Sequence, residues 1–255
     1  MRFDFWSFAV AAAAAAPALA GTVITSEMSV PQAGADKSVV YLDKDRVRVE
    51  SPGNITIYRG DRNTAYMVSP AEKKFMKMTP ETMKKMAAQM EAMRAEMAEQ
   101  MKSMPAEQRA QMEKMMAGSM PGQPAKIEFR KAGGTGTFGK WKCEKVEQLV
   151  NGAAQAQLCI AKLGDLGLGD ADLGVLQRFA AFMQQAAPQS AGASSMMDPK
   201  ALEKIVGYPG VAIHMEIPAA KVTSTTNSVE QKTLPANLFE VPAGYKEETM
   251  PGPGR

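Results

Sequence analysis

Between Thr22 and Met78, short strand-like runs alternate with clusters of turn residues, and this pattern limits the possible folds more than any other feature. The clusters lie at 43–45, 51–54 and 60–63. Within the runs, apolar side chains alternate with polar ones. Strands joined by turns of two to five residues pair with their neighbours in antiparallel fashion. The sequence therefore predicts an antiparallel meander, with one face on the core and the other toward water.

Arg46 and Arg48 alternate with valines in the run between the turn clusters at 43–45 and 51–54. Two cations on one face of a strand can mark an anion site, or they can mark the water-facing side of the sheet. The second interpretation is favoured, because arginine is mostly exposed in folded proteins.

The first twenty residues have the pattern of a secretory signal peptide. The almost wholly apolar run 5–16 ends in six alanines, and the small-x-small triplet Ala18-Leu19-Ala20 follows it. The run is too short to span a membrane, although a short N-terminal anchor helix is an alternative. We expect cleavage after Ala20, a mature chain that starts at Gly21 and contains no transmembrane segment, and a periplasmic location.

Cys143 and Cys159 are the two cysteines of the chain. In an oxidising compartment such a pair forms a disulfide. Asn151-Gly152 lies between the strand-like runs that carry them, which is a strong signal for a β-hairpin. A three-residue loop at 150–152 would place the cysteines directly opposite each other, whereas a two-residue loop would put them on opposite faces. The sequence predicts a disulfide across the longer loop, with a redox-active pair as the alternative.

The rest of the chain mixes strands and helices. Predicted strands lie at 126–130, 138–149, 155–162, 211–217, 221–232 and 238–241. Residues 164–169 are glycine-rich and predict a loop. Asp170 is expected to cap a helix over 171–187, and a second helix is expected over 199–206. The single histidine, His214, is interpreted as a solvated strand residue.

Composition excludes several function classes. Lys and Arg number 30 against 27 Asp and Glu in 255 residues, so the net charge of +3 gives no nucleic-acid footprint. One histidine and two cysteines leave almost no room for a four-ligand zinc site or for histidine-based catalysis. No motif brings a nucleophile and a base together. The expectation is a protein without enzymatic activity, cofactor or bound metal.

Methionine is the unusual residue, with 21 copies. Thr79-Pro80-Glu81 has the features of a helix start. Methionines then recur every three or four residues, at Met83, Met86, Met90, Met93, Met97, Met101 and Met104. Pro105 ends this helix and begins a second one with further methionines. The sequence predicts a Met-rich helical insertion over 79–120.

A methionine stripe on a helix allows several roles. Plain packing is one, although methionine specifies core geometry poorly and suits an adaptable surface for apolar partners better. Thioethers also bind Cu(I), which makes a copper-handling protein an alternative. Further alternatives are docking of a partner helix on the stripe and sacrificial oxidation.

Three stretches, 40–49, 104–116 and 238–245, resemble a family of secreted bacterial domains of unknown function that is related in fold to the LolA-like lipoprotein carriers. The resemblance implies an α+β fold: an open, strongly curved antiparallel half-barrel with helices over its concave face. It also implies one domain over 21–249. The Pro- and Gly-rich tail at 250–255 is expected to be flexible because of its composition and its terminal position. Carriers of that fold hold acyl chains in the concavity.

Together these observations predict a non-enzymatic periplasmic protein that binds a lipid or acyl chain, or an apolar protein surface. The oligomeric state is left open. The candidate ligand contacts are Met83, Met86, Met90, Met93, Met97, Phe179 and Phe182.

Overall fold

The computed structural model describes residues 19–31, 34–102, 126–186 and 199–248. These residues form an α+β structure built on one large sheet. Its twelve strands are β1 Leu19–Val30, β2 Gly34–Asp43, β3 Arg46–Ser51, β4 Asn54–Arg59, β5 Thr64–Ser69, β6 Lys74–Met78, β7 Ile127–Phe138, β8 Trp141–Val150, β9 Ala153–Lys162, β10 Gly210–Ile217, β11 Val222–Leu234 and β12 Lys246–Glu247. The helices in the described part are α1 Pro80–Lys102, α2 Leu163–Leu166, α3 Asp170–Ala186 and α4 Pro199–Val206.

The strand order is β12-β6-β5-β4-β3-β2-β1-β11-β10-β9-β8-β7. All neighbours are antiparallel except the short β12, which pairs with β6 in parallel. Strand β1 lies between β2 and β11 and so joins two runs of sequentially paired strands. The described sheet is open, since its end strands β12 and β7 pair with different neighbours. The predicted α+β class and antiparallel meander are confirmed.

Alternation along the strands gives the first meander two apolar faces. We call one the helix face, because α1 and α3 pack on it. Its buried cluster is Leu42, Val47, Tyr58, Ala65, Met78, Met83, Val175, Phe179 and Phe182. We call the other the tail face, because residues 235–248 cover it. Its buried cluster is Val23, Ile57, Val68, Leu234 and Phe239.

The prediction that one face of the meander points to water is therefore wrong in this half of the sheet. Arg48 is 8% exposed, and Arg46 lies with its guanidinium over the ring of Phe239, 4.7 Å from the centroid. The predicted strand over 238–241 is also wrong. Residues 236–239 form a 3-10 turn instead, which brings Phe239 down onto the sheet, where it is fully buried.

The cysteine pairing is confirmed, although the predicted loop is wrong. The two sulfurs are 2.04 Å apart, with the Cα atoms of Cys143 and Cys159 separated by 5.3 Å. The loop has two residues, Asn151 and Gly152, both with positive φ as a tight hairpin turn requires. The register then shifts between Gln148 and the next residue of β8. This bulge restores the common face that a two-residue loop alone would remove. The predicted register is also wrong, since the residue directly opposite Cys159 is Lys145 and not Cys143.

Two further boundaries differ from the sequence prediction. The predicted strand over 138–149 is two strands, because β7 ends at Phe138 and the chain turns at Gly139, where φ is +57°. The glycine-rich segment is partly helical, since α2 occupies three of its residues, 164–166, and is followed by Gly167 in the left-handed conformation. Helices α3 and α4 lie where the sequence placed them.

Helix α1 begins as predicted. The hydroxyl of Thr79 accepts a hydrogen bond from the backbone N–H of Thr82, and the Thr82 hydroxyl accepts one from the N–H of Thr79. This reciprocal pair satisfies two amide groups that the first turn would otherwise leave unpaired. The structure describes α1 to Lys102. The remainder of the predicted insertion, residues 103–120, lies outside the described residues.

Candidate functional site

The described residues border a cavity of about 430 Å³ that lies between the sheet and three helices. Strands β1, β2, β3, β9, β10 and β11 form one wall. Leu166 of α2, Leu176 and Phe179 of α3 and Leu202 of α4 form the other. This volume is in the range of small-molecule sites, roughly 300–1,000 Å³. The cavity is the strongest candidate for a functional site in the described part of the chain.

The side chains that line the strand wall are apolar or neutral. The apolar ones include Ile24, Met28, Val40, Val47, Val49, Leu158, Val211, Ala212, Ile213, Met215 and Val229. The polar ones are the hydroxyl side chains of Ser26, Ser38, Ser224 and Thr226. Because burial of apolar surface is non-directional, such a lining suits a hydrophobic ligand of variable shape.

A hydrogen-bond network fixes α3 against the sheet at one end of the cavity. Asp172 accepts a hydrogen bond from the Thr22 hydroxyl at 2.8 Å and another from the N–H of Gly169 at 2.9 Å. Gln231 of β11 donates to the same hydroxyl and to the carbonyl of Gly167. The loop before α3 is therefore bound to both β1 and β11. The capping contact comes from Asp172, where the sequence pointed to Asp170.

The seven predicted ligand contacts are distributed around the cavity and not gathered in it. Phe179 lines the cavity. Met83 and Phe182 are buried beside it, in the cluster that joins α1, α3 and the sheet. Met86 is half-buried and Met93 is 52% exposed. Met90 and Met97 lie on α1, and their side chains are outside the description. A ligand-binding role for these residues stays a prediction.

Sequence reasoning missed most of the lining. Among the described side chains, Met28 and Met215 are the methionines that reach the cavity, and both lie on strands. The four hydroxyl residues carried no visible signal either, since serine and threonine are common on exposed strand faces. Pairing β1 with β11 brings residues about 200 positions apart into one wall.

His214 is not the solvated residue that the sequence predicts. Its ring stacks on Phe138 at 3.8 Å between centroids, and its Nδ1 lies 2.8 Å from the hydroxyl of Thr225. Burial lowers the pKa of His214, and the nearby carboxylate of Glu216 opposes this with a smaller upward effect. The half-buried position and the lowered pKa of His214 favour the neutral form of the ring.

Neither metal-binding residues nor a membrane span emerge from the described ranges. Across them, no group of three or more His, Cys, Asp or Glu side chains is placed to hold a metal ion. Within the same ranges, no helix is both long and apolar enough to cross a membrane.

Comparison with known proteins identifies no family for this chain. No family model matches the chain, and no curated protein matches it. Two solved structures of PNGF-II are similar at 10% identity, one in space group C2 with a TM-score of 0.38 and one in P21 with a TM-score of 0.37. The matches cover 91% and 90% of this chain but only 31% of the PNGF-II chain. Similarity at this level identifies neither a family nor a function.

Proposed function

We propose that this protein is a non-enzymatic binding protein that holds a lipid or acyl chain in the cavity between the sheet and its helices. The observation that carries the proposal is the cavity itself, about 430 Å³ with apolar walls on both sides. Each buried methylene group contributes about 0.8 kcal/mol to binding, so a long chain gains affinity from the walls without any specific contact.

A cavity bordered by a sheet on one side and by helices on the other favours a small ligand over an apolar protein surface. The lining residues come from the sheet on one side and from α2, α3 and α4 on the other. A protein surface would require those helices to leave the sheet, whereas a single chain fits between them. The LolA-like half-barrel implied by the sequence resemblance belongs to this proposal, since carriers of that fold place their cargo between sheet and helices.

The proposed location is the periplasm, reached through a signal peptide cleaved after Ala20. The Cys143–Cys159 pair supports an oxidising compartment, because structural disulfides are rare where thiols are kept reduced. Cleavage at this site would remove Leu19 and Ala20, the first two residues of β1, which pair with Leu234 and Thr233. The other pairs between β1 and β11 would remain.

The experiment is binding of an apolar fluorescent probe, 1-anilinonaphthalene-8-sulfonate or N-phenyl-1-naphthylamine, to a variant with a filled cavity. Ser38→Phe adds a ring to the cavity wall, and Ala35→Phe adds the same ring at an exposed position three residues earlier in β2. We expect Ser38→Phe to weaken probe binding about tenfold or more and Ala35→Phe to leave it unchanged. Equal binding by both variants and the unsubstituted protein would contradict the proposal.

A further inference from the structure

The walls of the cavity change in polarity along β1. Ile24 lies opposite Val40 of β2 on one side and Val229 of β11 on the other, and all three line the cavity. This row is entirely apolar. Ile24 and Val40 also pack against the buried cluster that contains Phe179. The row therefore marks the apolar interior of the cavity.

Two residues further along β1, the row is entirely hydroxylic. Ser26 lies opposite Ser38 of β2 and Thr226 of β11. The hydroxyl oxygens of Ser26 and Thr226 are 3.3 Å apart, within hydrogen-bonding distance. Since each hydroxyl both donates and accepts, the row can serve a ligand atom of either kind. We call Ser26, Ser38 and Thr226 the hydroxyl row.

The next row lies at the open end. Met28 is 38% exposed, more than the partly buried Ile24 and Ser26, and it lies opposite Ser224 of β11. On its other side it lies opposite Asp36 of β2. From the interior outward, the cavity therefore presents an apolar row, the hydroxyl row and a row with the exposed Met28, next to which Asp36 lies outside the lining.

The absence of charge on the described cavity lining adds a second constraint on the ligand. Within the described part of the chain, every side chain that lines the cavity is uncharged. Moving a carboxylate or ammonium group out of water without a partner is costly, whereas a neutral hydroxyl or ester needs only hydrogen bonds. Asp36 at the open end would also repel an anionic head group.

From these observations we propose that the ligand is a single-chain amphiphile with an uncharged hydrogen-bonding head, such as an alcohol or a monoester. The head contacts the hydroxyl row, and the chain extends inward past Ile24 toward Phe179. This inference rests on the proposed function, since it assigns a ligand class and an orientation to the same cavity.

The first test uses the unsubstituted protein. N-phenyl-1-naphthylamine is bound and then displaced by 1-decanol, decanoate or decylammonium, which share a chain length and differ in the head. We expect 1-decanol to displace the probe at a concentration about tenfold lower than either charged ligand. Equal displacement by decanoate or decylammonium would overturn the inference, and absence of binding by both the probe and 1-decanol would overturn the proposed function with it.

An alcohol leaves water more readily than a carboxylate, so 1-decanol could bind more tightly than decanoate even without the hydroxyl row. The second test therefore measures the contribution of the hydroxyl row to 1-decanol binding separately. The triple variant Ser26→Ala, Ser38→Ala, Thr226→Val removes the row and keeps the shape of the side chains. The control, Thr25→Val with Ser228→Ala, removes hydroxyls from the adjacent pair of β1 and β11, outside the cavity lining.

We expect the triple variant to bind 1-decanol about tenfold more weakly and the probe unchanged, with the control matching the original protein. Thermal melting checks that each variant is folded, and Ser38→Ala alone replaces the triple variant if that one is not. Unchanged 1-decanol affinity in a folded variant that lacks these hydroxyls would overturn the assignment.

Discussion

Two arginines on the tail face, Arg48 and Arg59, show how buried cations hold an irregular segment on a sheet. Arg48 donates a hydrogen bond to the backbone carbonyl of Leu238 at 2.9 Å. Arg59 forms a bidentate pair with Asp61 and a further ion pair with Glu240. The alternating pattern of β3 could not reveal this, because the covering residues lie about 190 positions later in the chain.

At the residue scale, the ion pairs of Arg59 predict a small loss of stability for one substitution and a larger loss for another. Arg59 is 5% exposed, whereas the side chains of Asp61 and Glu240 are more than 40% exposed. Glu240→Gln leaves the Arg59–Asp61 pair intact, so we expect it to lower the free energy of unfolding by less than about 1 kcal/mol. Arg59→Met removes both pairs, and we expect a loss of about 1–2 kcal/mol. Urea denaturation measures both, and a larger effect of Glu240→Gln would contradict this account.

His214 predicts a specific pH dependence. Its pKa is lowered in the folded state, mainly by burial, so the unfolded chain takes up the proton first as the pH falls. The contribution to stability is complete above about pH 6.5, the usual value for histidine, and is lost as the pH falls toward the folded-state pKa.

The variant His214→Gln keeps a hydrogen-bonding group next to Thr225 but does not titrate. We expect its free energy of unfolding to fall less between pH 7.5 and pH 5 than that of the original protein, as measured by urea denaturation. An identical fall in both proteins would exclude His214 as the cause.

At the scale of the element, the two acidic residues at the start of α3 differ in whether they anchor the helix. Asp172 bonds to Thr22 and to the N–H of Gly169, whereas Asp170 is exposed. We expect Asp172→Ala to lower the free energy of unfolding by about 1–2 kcal/mol and Asp170→Ala to change it by less than about 0.5 kcal/mol. Chemical denaturation measures both, and equal effects would mean that the network does not anchor the helix.

The hairpin of β8 and β9 gives the second prediction at this scale. Its disulfide closes a loop with a sequence separation of 16, for which the chain-entropy model gives about 3 kcal/mol. We expect the double variant Cys143→Ala, Cys159→Ala to lose about that much stability, and reduction of the original protein to have the same effect. A loss below about 1 kcal/mol would show that the hairpin does not depend on the bond.

Local signals in the sequence predicted most elements. They failed where contacts between distant segments determine the local conformation. The turn residues around 43–45 and 60–63 fix the first meander. By contrast, nothing local distinguishes residues 238–241 from a strand, because their turn forms as Phe239 enters the tail-face cluster. The disulfide was predicted correctly with the wrong loop, since a bulge near Gln148 cannot be read from alternation.

At the scale of the whole molecule, the cavity depends on how distant strands pair. Periodicity on α1 and α3 pointed to Met83 and Phe179, and the structure buries both on the helix face, together with the candidate contact Phe182. The wall opposite the helices needs the register of β1 with β2 and β11. Sequence alone predicts an apolar helix stripe, but it does not predict the space beneath it or the hydroxyls that line it.

Native mass spectrometry of the protein, purified from its producing cells without detergent, tests the central claim most directly. We expect one bound lipid or acyl-chain molecule per chain, released by gentle activation, and loss of that species in Ser38→Phe but not in Ala35→Phe. Recovery of the bare polypeptide alone, together with no gain of fluorescence from N-phenyl-1-naphthylamine, would contradict it.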